Sequence, residues 1–501
     1  MASTDPSGLP LFGTTPPSMR GLRGEPNAVR QSPNGRTTPH SFRLVGPEEV
    51  PNGLLPPVDL DWTVVAALRS QAAEQLTKAA DGLDSGAQQE LGRAIILELL
   101  DAQASQALSE GLPARDTVAQ EALARAVFDS LFRLGRLQPL MDDPQVENIV
   151  ISGCDQVWLE RLDGTITRGP AVADSDAELV EFISFVAARS TDANARPFSE
   201  ANPSLDLRLP DGSRLAATNW ITVRPSVVIR RHRLVQVSLD DLVGLGTLSP
   251  VMASFLAAAV RARLSIVVAG AQGAGKTTLV RALCSEIDAD EQIATFEDPR
   301  ELFLHEMPER HHIVHSWEAR HGSGEIGPDG RPAGEYTLEQ QLRDSFRYNA
   351  QRQIVGEIRG PEVWMMIKAM ESGSGSISTT HAENAAAAMA KLVTCSMEAG
   401  PHVSRQLAAS KLGQAIDLVV QVNAETRSAA GSRSRRRWVS EIAAVTPGEV
   451  EQGYALTEVF APAGVGRARA VLLPDELGHL AEHGFDLRSF LAEAAAGGGP
   501  R

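Results

Sequence analysis

Apolar residues recur every three or four positions between about residues 62 and 136, as they do on the buried face of a helix. Glycine and proline interrupt this spacing at only a few points, so we predict a small helical bundle. The residues before it, 1 to about 58, combine many prolines with glycine, serine, threonine and asparagine, and few of their side chains are large and apolar. Because so little apolar surface cannot offset chain entropy, we predict a disordered arm there.

The spacing changes to strand-like alternation between residues 146 and 231. The stretches 146–151 and 156–160 flank a glycine turn, and 177–190 follows with helical spacing. This region is therefore predicted to be an α+β domain.

Short apolar runs then alternate with helical stretches up to about residue 445, which is typical of a mostly parallel sheet covered by helices. The fold class that we predict is α/β. Its predicted parts are a disordered arm (1–58), a helical module (59–140), an α+β domain (141–233), a linker (234–250), an α/β domain (251–450) and a C-terminal tail with an amphipathic helix (451–501).

A glycine-rich loop between an apolar strand and a helix carries the clearest chemistry. It reads Gly270-Ala271-Gln272-Gly273-Ala274-Gly275-Lys276-Thr277 and follows the apolar run 264–269. In a P-loop, backbone N–H groups surround the phosphates, the lysine reaches the β- and γ-phosphates, and the hydroxyl ligates Mg²⁺. We predict that this loop binds a nucleoside triphosphate together with Mg²⁺. The predicted binding residues are Gly270, Ala271, Gln272, Gly273, Ala274, Gly275, Lys276, Thr277 and Thr278.

Three later strand ends carry groups that could complete a hydrolytic site. Glu297 and Asp298 follow one apolar run, Glu357 ends a second, and His381 follows a third. Parallel strands place their carboxyl ends at one edge of a sheet, so we expect these groups near the phosphates. Glu357 could orient the attacking water, and Glu297 and Asp298 could hold Mg²⁺ with Thr277. Taken singly, they also fit a surface carboxylate pair, a solvated strand end and a structural histidine.

Charge and composition exclude several classes of protein. The formal net charge of −16 and pI near 5.2 argue against a protein that coats nucleic acid. Three cysteines without disulfide or metal spacing indicate a reducing compartment, and we expect the cytoplasm. No segment is long and apolar enough to cross a bilayer, and the N-terminus does not resemble a signal peptide. We therefore expect any action at a membrane to depend on a partner.

The order of these motifs resembles the secretion-type traffic ATPases of type II and type IV secretion and pilus assembly. Within that family it is most similar to the tight-adherence (Flp) pilus assembly ATPases, the CpaF-like group. The resemblance extends from about residue 135 to 445, about three-fifths of the chain. Beside the P-loop it rests on Gly135-Arg136-Leu137-Gln138-Pro139-Leu140, Asp206-Leu207-Arg208-Leu209-Pro210-Asp211-Gly212-Ser213-Arg214, Val228-Ile229-Arg230-Arg231, Phe296-Glu297-Asp298, Val355-Gly356-Glu357-Ile358-Arg359-Gly360 and Thr379-Thr380-His381-Ala382.

The resemblance implies a PAS-like domain hinged to a RecA-like P-loop domain, assembled as a homo-hexameric ring with ATP between the two domains. It implies an ATPase that works on an inner-membrane platform protein from the cytoplasmic face. By this resemblance Lys276 and Thr277 belong to the Walker A motif, Glu297 and Asp298 to the Asp box, Glu357 to Walker B and His381 to the His box.

Arginines of the N-terminal domain reach the nucleotide in such rings, and the matching positions here are Arg208, Arg214, Arg230 and Arg231. Guanidinium groups suit phosphate and stabilise charge that develops in the transition state. We therefore predict catalytic roles for Arg208, Arg214 and Arg231, with a surface salt bridge as the alternative for each. Arg320 matches a further arginine of the family, with a structural role as its alternative.

The chain departs from the family pattern at three positions. Gln351 stands where an acid is usual, Gln353 interrupts an apolar run, and Ser374 replaces an earlier histidine. Three hypotheses are open: an ATP-driven motor, a nucleic-acid translocase on the same core, and a scaffold that binds ATP with little turnover, which the polar strand before Glu357 favours. A translocase would need stacking aromatics, and only 5% of the residues are aromatic.

An arginine-rich run, Arg433 and Arg435 to Arg437, lies between two apolar stretches and predicts the tip of a hairpin. A solvated loop, a docking surface for an acidic face of a platform protein, and a nucleic-acid contact are all compatible with it.

Overall fold

The computed structural model describes residues 60–80, 82–111, 113, 115–189, 197–232, 236–322, 325–328, 330–373, 375–429, 432–449, 452–464 and 466–496. The predicted arm at 1–58 and Ser374 lie outside these ranges. The chain folds into two compact units. The first comprises the described residues of 1–157, 169–210 and 215–228, and the second those of 158–168, 211–214 and 229–501.

The first described residues form the predicted helical bundle. Its helices are α1 (Trp62–Ala79), α2 (Ser85–Ser109), α3 (Thr117–Phe132) and the short α4 (Gln138–Asp142). An aspartate caps each of the first three by accepting a backbone N–H of the first turn. Apolar side chains of these three helices, among them Leu68, Ile96 and Phe132, pack into one core.

Asp129 is a carboxyl group inside this bundle, with 1% of its surface exposed. Burial raises the pKa of Asp129 to about 6, although the charges of Arg133 and Arg125 oppose the rise. The nearest guanidinium nitrogens of these arginines lie 3.6 and 3.9 Å from its oxygens. A pKa that folding raises stabilises the folded state below the unfolded pKa, and this contribution is lost as the pH rises through the folded pKa.

We therefore expect Asp129→Asn to remove part of the pH dependence of stability. Between pH 4 and 7 the wild type should lose up to about 3 kcal/mol of unfolding free energy relative to the variant. Chemical denaturation at both pH values measures this, with the exposed Asp101→Asn in α2 as a matched control. The expectation would be contradicted if the difference in unfolding free energy between Asp129→Asn and the wild type were the same at both pH values.

Six strands and one helix follow. They are β1 (Val146–Ser152), β2 (Gln156–Arg161), β3 (Ile166–Arg168), α5 (Asp176–Arg189), β4 (Ser204–Arg208), β5 (Arg214–Thr218) and β6 (Ser226–Arg230). The strands form one sheet in the order β3-β2-β1-β6-β5-β4. Buried and more exposed residues alternate along β5, as in a sheet with one covered face. This is an α+β arrangement.

A second, nine-stranded sheet has the order β15-β14-β13-β12-β7-β11-β10-β8-β9. Its strands are β7 (Ile266–Gly270), β8 (Gln292–Glu297), β9 (Ile313–Glu318), β10 (Arg352–Val355), β11 (Ser376–Thr380), β12 (Leu418–Ala429), β13 (Ser432–Pro447), β14 (Tyr454–Ala461) and β15 (Arg469–Ala470). The strands from β12 to β9 in this order pair in parallel, and β13 to β15 add antiparallel pairs. The predicted mostly parallel sheet is confirmed.

Helices cover both faces of this sheet. They are α6 (Leu239–Gly244), α7 (Pro250–Arg261), α8 (Lys276–Cys284), α9 (Leu338–Ser345), α10 (Val363–Met370), α11 (Ala385–Met397), α12 (Arg405–Ala415) and α13 (Leu487–Ala496). Ile266 and Val268 of β7 enter an apolar cluster with α7 and α8. Val267 and Ala269 enter another with α10, α11 and α12. Successive side chains of a strand point to opposite faces, so the sheet lies between two helical layers.

The structure differs from the sequence prediction at the hairpin and beyond it. The described arginines 435–437 lie on β13 rather than in a loop tip, because β12 and β13 pair from Leu418↔Ala444 out to Ala429↔Ser432. Strands β14 and β15 continue the sheet past residue 450, where the predicted tail begins. Helix α6 lies inside the predicted linker. Within the described part of the chain, no helix is long and apolar enough to span a membrane.

Candidate nucleotide-binding site

The glycine-rich loop connects β7 to α8, as predicted. Gly275 has a φ of 98°, a left-handed conformation that suits glycine, and α8 begins at the next residue. A Cβ atom on Gly270 would lie 2.4 Å from the carbonyl oxygen of Val422 in the neighbouring strand β12. No side chain caps the N-terminus of α8, so its first N–H groups can donate to an anion.

Lys276 is held inside this loop. Its Nζ atom donates to the carbonyl oxygens of Gly270 and Ala271 at 3.1 Å each, and it lies 3.1 Å from Nδ1 of His381. Burial lowers the pKa of Lys276 to about 8, although the charge of Glu357 opposes the change. A buried ammonium group with neutral partners gains strongly from an incoming anion, which favours binding of a phosphate here.

His381 connects Lys276 to Glu357. Its Nε2 atom lies 2.6 Å from Oε1 of Glu357. Burial, followed by the charge of Lys276, lowers the pKa of His381 and favours the neutral ring. A neutral ring that accepts from Lys276 at Nδ1 carries its proton on Nε2, the nitrogen that lies close to Glu357.

Glu357 is an ionised carboxylate at this edge of the sheet. Burial favours its protonated form, but the hydrogen bond from Arg359 and nearby positive charges outweigh burial and lower its pKa. Arg359 donates to Oε2 of Glu357 over 2.7 Å. The structure thus brings together Lys276, His381 and Glu357, which the sequence predicts as parts of one site.

Glu297 occupies a different environment from the one predicted. It is 1% exposed, and its Oε1 atom accepts hydrogen bonds from the backbone N–H groups of Glu301 and Leu302 at 2.8 Å each. Burial raises the pKa of Glu297 to about 7, although these hydrogen bonds oppose the rise. Its contacts are those of a residue that fixes the loop after β8. Asp298, the other predicted metal ligand, lies 3.2 Å from His321.

Glu301 lies beside the P-loop, although none of the sequence motifs includes it. Its Oε2 atom accepts a hydrogen bond from the Thr277 hydroxyl over 3.1 Å, and its Oε1 atom lies 3.2 Å from Arg214. The backbone carbonyl of Glu301 accepts a hydrogen bond from the buried Arg281 of α8. In the sequence, its position only three residues after Asp298 could have indicated that Glu301 belongs to the same acidic cluster. Glu301 is therefore the carboxylate that contacts the predicted Mg²⁺ ligand Thr277.

The predicted arginines have different surroundings. Arg214 reaches Glu301, as described above, whereas Arg208 ends β4 and is partly buried. Arg230 is the last residue of β6 and is exposed. Arg231 directly follows β6. Arg320 donates to the carbonyl oxygen of Gly334 and thereby supports its own loop.

Comparison with known proteins identifies the family to which this chain is similar. Residues 133–448 match the family described as Type II/IV secretion system protein. A Mycobacterium tuberculosis protein named after conjugal transfer is 30% identical over 324 residues, which cover 63% of this chain and 85% of that protein. The type IV secretion system protein VirB11 of Brucella suis is 28% identical, covering 61% of this chain and 89% of its own.

A solved structure of the same kind also matches. The crystal structure of the VirB11 ATPase from the Brucella suis type IV secretion system is 26% identical and covers 62% of this chain and 95% of its own, with a TM-score of 0.30.

Proposed function

Because this chain belongs to the type II/IV secretion system protein family, whose members are P-loop ATP hydrolases, we propose that it is the ATP-driven motor of a secretion or pilus-assembly machine. The observation that carries the proposal is the contact chain from Lys276 in the P-loop through His381 to Glu357. These three residues follow β7, β11 and β10, which are adjacent in the sheet. The site therefore combines a phosphate cradle with an ionised carboxylate.

The residues of the site support distinct roles in hydrolysis. The P-loop amides and Lys276 would bind the phosphates, and Lys276 would exchange its carbonyl partners for phosphate oxygens. Glu357 would orient the attacking water, since its carboxylate is ionised at neutral pH. His381 touches both Lys276 and Glu357, so it would transmit the state of the phosphate site to the carboxylate.

The residues near Thr277 fit a magnesium ion, because a hydroxyl and a carboxylate are the hard oxygen donors that this ion prefers. We propose Thr277 as the direct ligand, with Glu301 beside it and Asp298 acting through water. When bound, Mg²⁺ neutralises charge on the β- and γ-phosphates. Glu297 would position Glu301, whose backbone N–H donates to it.

The finer assignment is to the tight-adherence (Flp) pilus assembly ATPases, the CpaF-like group. The motifs quoted from residue 135 to 445 support it. On this proposal the strands before residue 233 form a PAS-like domain, and the protein assembles as a homo-hexamer at the cytoplasmic face of a membrane. Its partner would be an inner-membrane platform protein. Arg208, Arg214 and Arg231 would then act on the nucleotide.

The second candidate function is a scaffold that binds ATP but hydrolyses it slowly, and Gln353 favours this function. This glutamine lies in β10 and is 3% exposed, a polar group in a strand that leads to Glu357. Steady-state phosphate release by the full chain separates the candidates: turnover supports a motor, and ATP binding without turnover supports a scaffold. Stimulation by single-stranded DNA would instead support a translocase.

Lys276→Ala tests the nucleotide site. We expect the Kd for ATP to rise about 10- to 100-fold or more, because a charge-assisted contact to phosphate is lost. Without nucleotide the variant should be as stable as the wild type, since a buried ammonium is costly and its removal leaves only carbonyl partners. Titration calorimetry and thermal unfolding measure these two quantities. The exposed Lys368→Ala in α10 is the matched control. If Lys276→Ala bound ATP as tightly as the wild type, the assignment of the P-loop as the ATP site would be wrong.

A further inference from the structure

The β12–β13 hairpin packs against the P-loop. The backbone of Val422 in β12 is so close to Gly270 that no Cβ fits between them. At the other end of the loop, a Cβ on Gly275 would lie 3.4 Å from Cδ of Arg437 in β13. The hairpin therefore packs along the loop from its first glycine to its last.

Arg437 contacts the loop backbone directly. Its Nε atom donates a hydrogen bond to the carbonyl oxygen of Gly273 over 3.2 Å. Strand alternation places Arg435 on the same side of β13, where it donates to Thr426 and to Glu160. Arg436 faces the opposite side and is exposed. The arginine-rich run is thus divided between two faces, and one member of it reaches the loop.

The contact has a consequence for the loop amides. In a trans peptide the C=O and the following N–H point in opposite directions. The peptide that joins Gly273 to Ala274 has its carbonyl held by Arg437, and its N–H donates to Ala271 over 3.3 Å. The carbonyl oxygen of Ala271 also accepts from Lys276, so this N–H and the lysine ammonium share one acceptor in the loop.

We propose that Arg437 is a positioning residue for ATP binding, which holds the Gly273–Ala274 peptide with its N–H directed into the phosphate cradle. This inference rests on the proposed ATPase function and adds a residue outside the P-loop motif to it. Gly273 has a φ of 73° and no atom within 4 Å of an added Cβ, so packing at its Cα does not fix this peptide, and its orientation depends on the hydrogen bonds that its C=O and N–H make with Arg437 and Ala271. A flipped peptide would direct a carbonyl oxygen at the phosphates, which repels them.

Replacement of Arg437 tests the proposal. We expect Arg437→Ala to raise the Kd for ATP and for ADP about tenfold or more, with a smaller effect on turnover at saturating ATP. Arg436→Ala removes the same charge from the opposite face and should bind both nucleotides as the wild type does. Arg437→Gln and Arg437→Lys each keep an N–H donor, and we expect both to bind more tightly than Arg437→Ala. Titration calorimetry with Mg²⁺ and each nucleotide gives these constants.

A second measurement separates positioning from general stability. The melting temperature without nucleotide should be equal in the wild type and Arg437→Ala, while the increase on adding ATP should be smaller in the variant. Equal ATP affinity in Arg437→Ala and Arg436→Ala would overturn the proposal. It would also be overturned if Arg437→Lys bound normally and Arg437→Gln as poorly as Arg437→Ala, because charge alone would then explain the effect. If Arg437→Ala does not fold, the ATP affinities of Arg437→Gln and Arg437→Lys still decide. Reduced affinity in Arg437→Gln with normal affinity in Arg437→Lys would show that charge alone acts and would overturn the proposal.

The experiment distinguishes failure of this proposal from failure of the proposed function. If the wild type and Arg436→Ala do not bind ATP, the proposed function fails. If they bind ATP and the Arg437 variants bind it equally well, only the role of Arg437 fails.

Discussion

Arg214→Ala is expected to lower ATP turnover by roughly 10³- to 10⁵-fold, the range over which a supplied arginine acts in P-loop enzymes. Arg214 lies 3.2 Å from Glu301, whose other oxygen accepts from the Walker A residue Thr277. A γ-phosphate bound at the loop would compete with Glu301 for this guanidinium. In the proposed role the arginine would stabilise charge that grows in the transition state, so ATP affinity should fall much less than turnover.

Phosphate release and ATP titration on the full chain measure the two effects of Arg214→Ala. Arg214→Lys keeps the charge but not the planar fork, so we expect it to recover only part of the turnover. The exposed Arg168→Ala in β3 is the matched control for loss of a surface arginine. Wild-type turnover in Arg214→Ala would show that this residue only pairs with Glu301.

Glu357→Gln is expected to keep ATP binding and to lower turnover by roughly 10²- to 10⁴-fold, the contribution typical of a positioned acid or base. The change removes a charge and hardly any volume. Glu357 is ionised because Arg359 and neighbouring positive charges outweigh its burial. The neutral amide can neither accept a proton nor orient water as strongly, whereas Lys276 and the loop amides are untouched.

A quenched time course with excess enzyme separates binding from chemistry in Glu357→Gln. The variant should retain ATP and release phosphate slowly. The exposed Glu383→Gln, two residues after His381, controls for loss of a carboxylate near the site. Hydrolysis at the wild-type rate would exclude Glu357 and transfer its role to another acid. Glu301, which contacts Thr277, is then the candidate for orienting the water, since Glu297 already accepts hydrogen bonds from the loop backbone.

Local sequence was sufficient for the P-loop and for the class of fold. The spacing of glycines, lysine and threonine depends only on the loop itself, and apolar periodicity predicted the helical bundle and the parallel sheet. The convergence of Lys276, Glu357 and His381 also followed from sequence, because carboxyl ends of parallel strands lie at one edge. The observed sheet places β7, β11 and β10 side by side, which explains why residues distant in the chain meet.

Other features depended on contacts that no local pattern encodes. Glu297 and Glu301 lie four residues apart with similar chemistry, yet the path of the loop buries one and directs the other to Thr277. Arg435, Arg436 and Arg437 form one basic run, and only the pairing of β13 with β12 determines that Arg437 faces Gly273.

The sequence by itself thus determined the chemical groups of this protein and the strand ends that carry them, because these follow from neighbours along the chain. The tertiary structure alone decided which carboxylate meets the Walker A threonine and which arginine holds the P-loop. Burial, strand order and strand register set those partners, and each arises from packing between segments far apart in sequence.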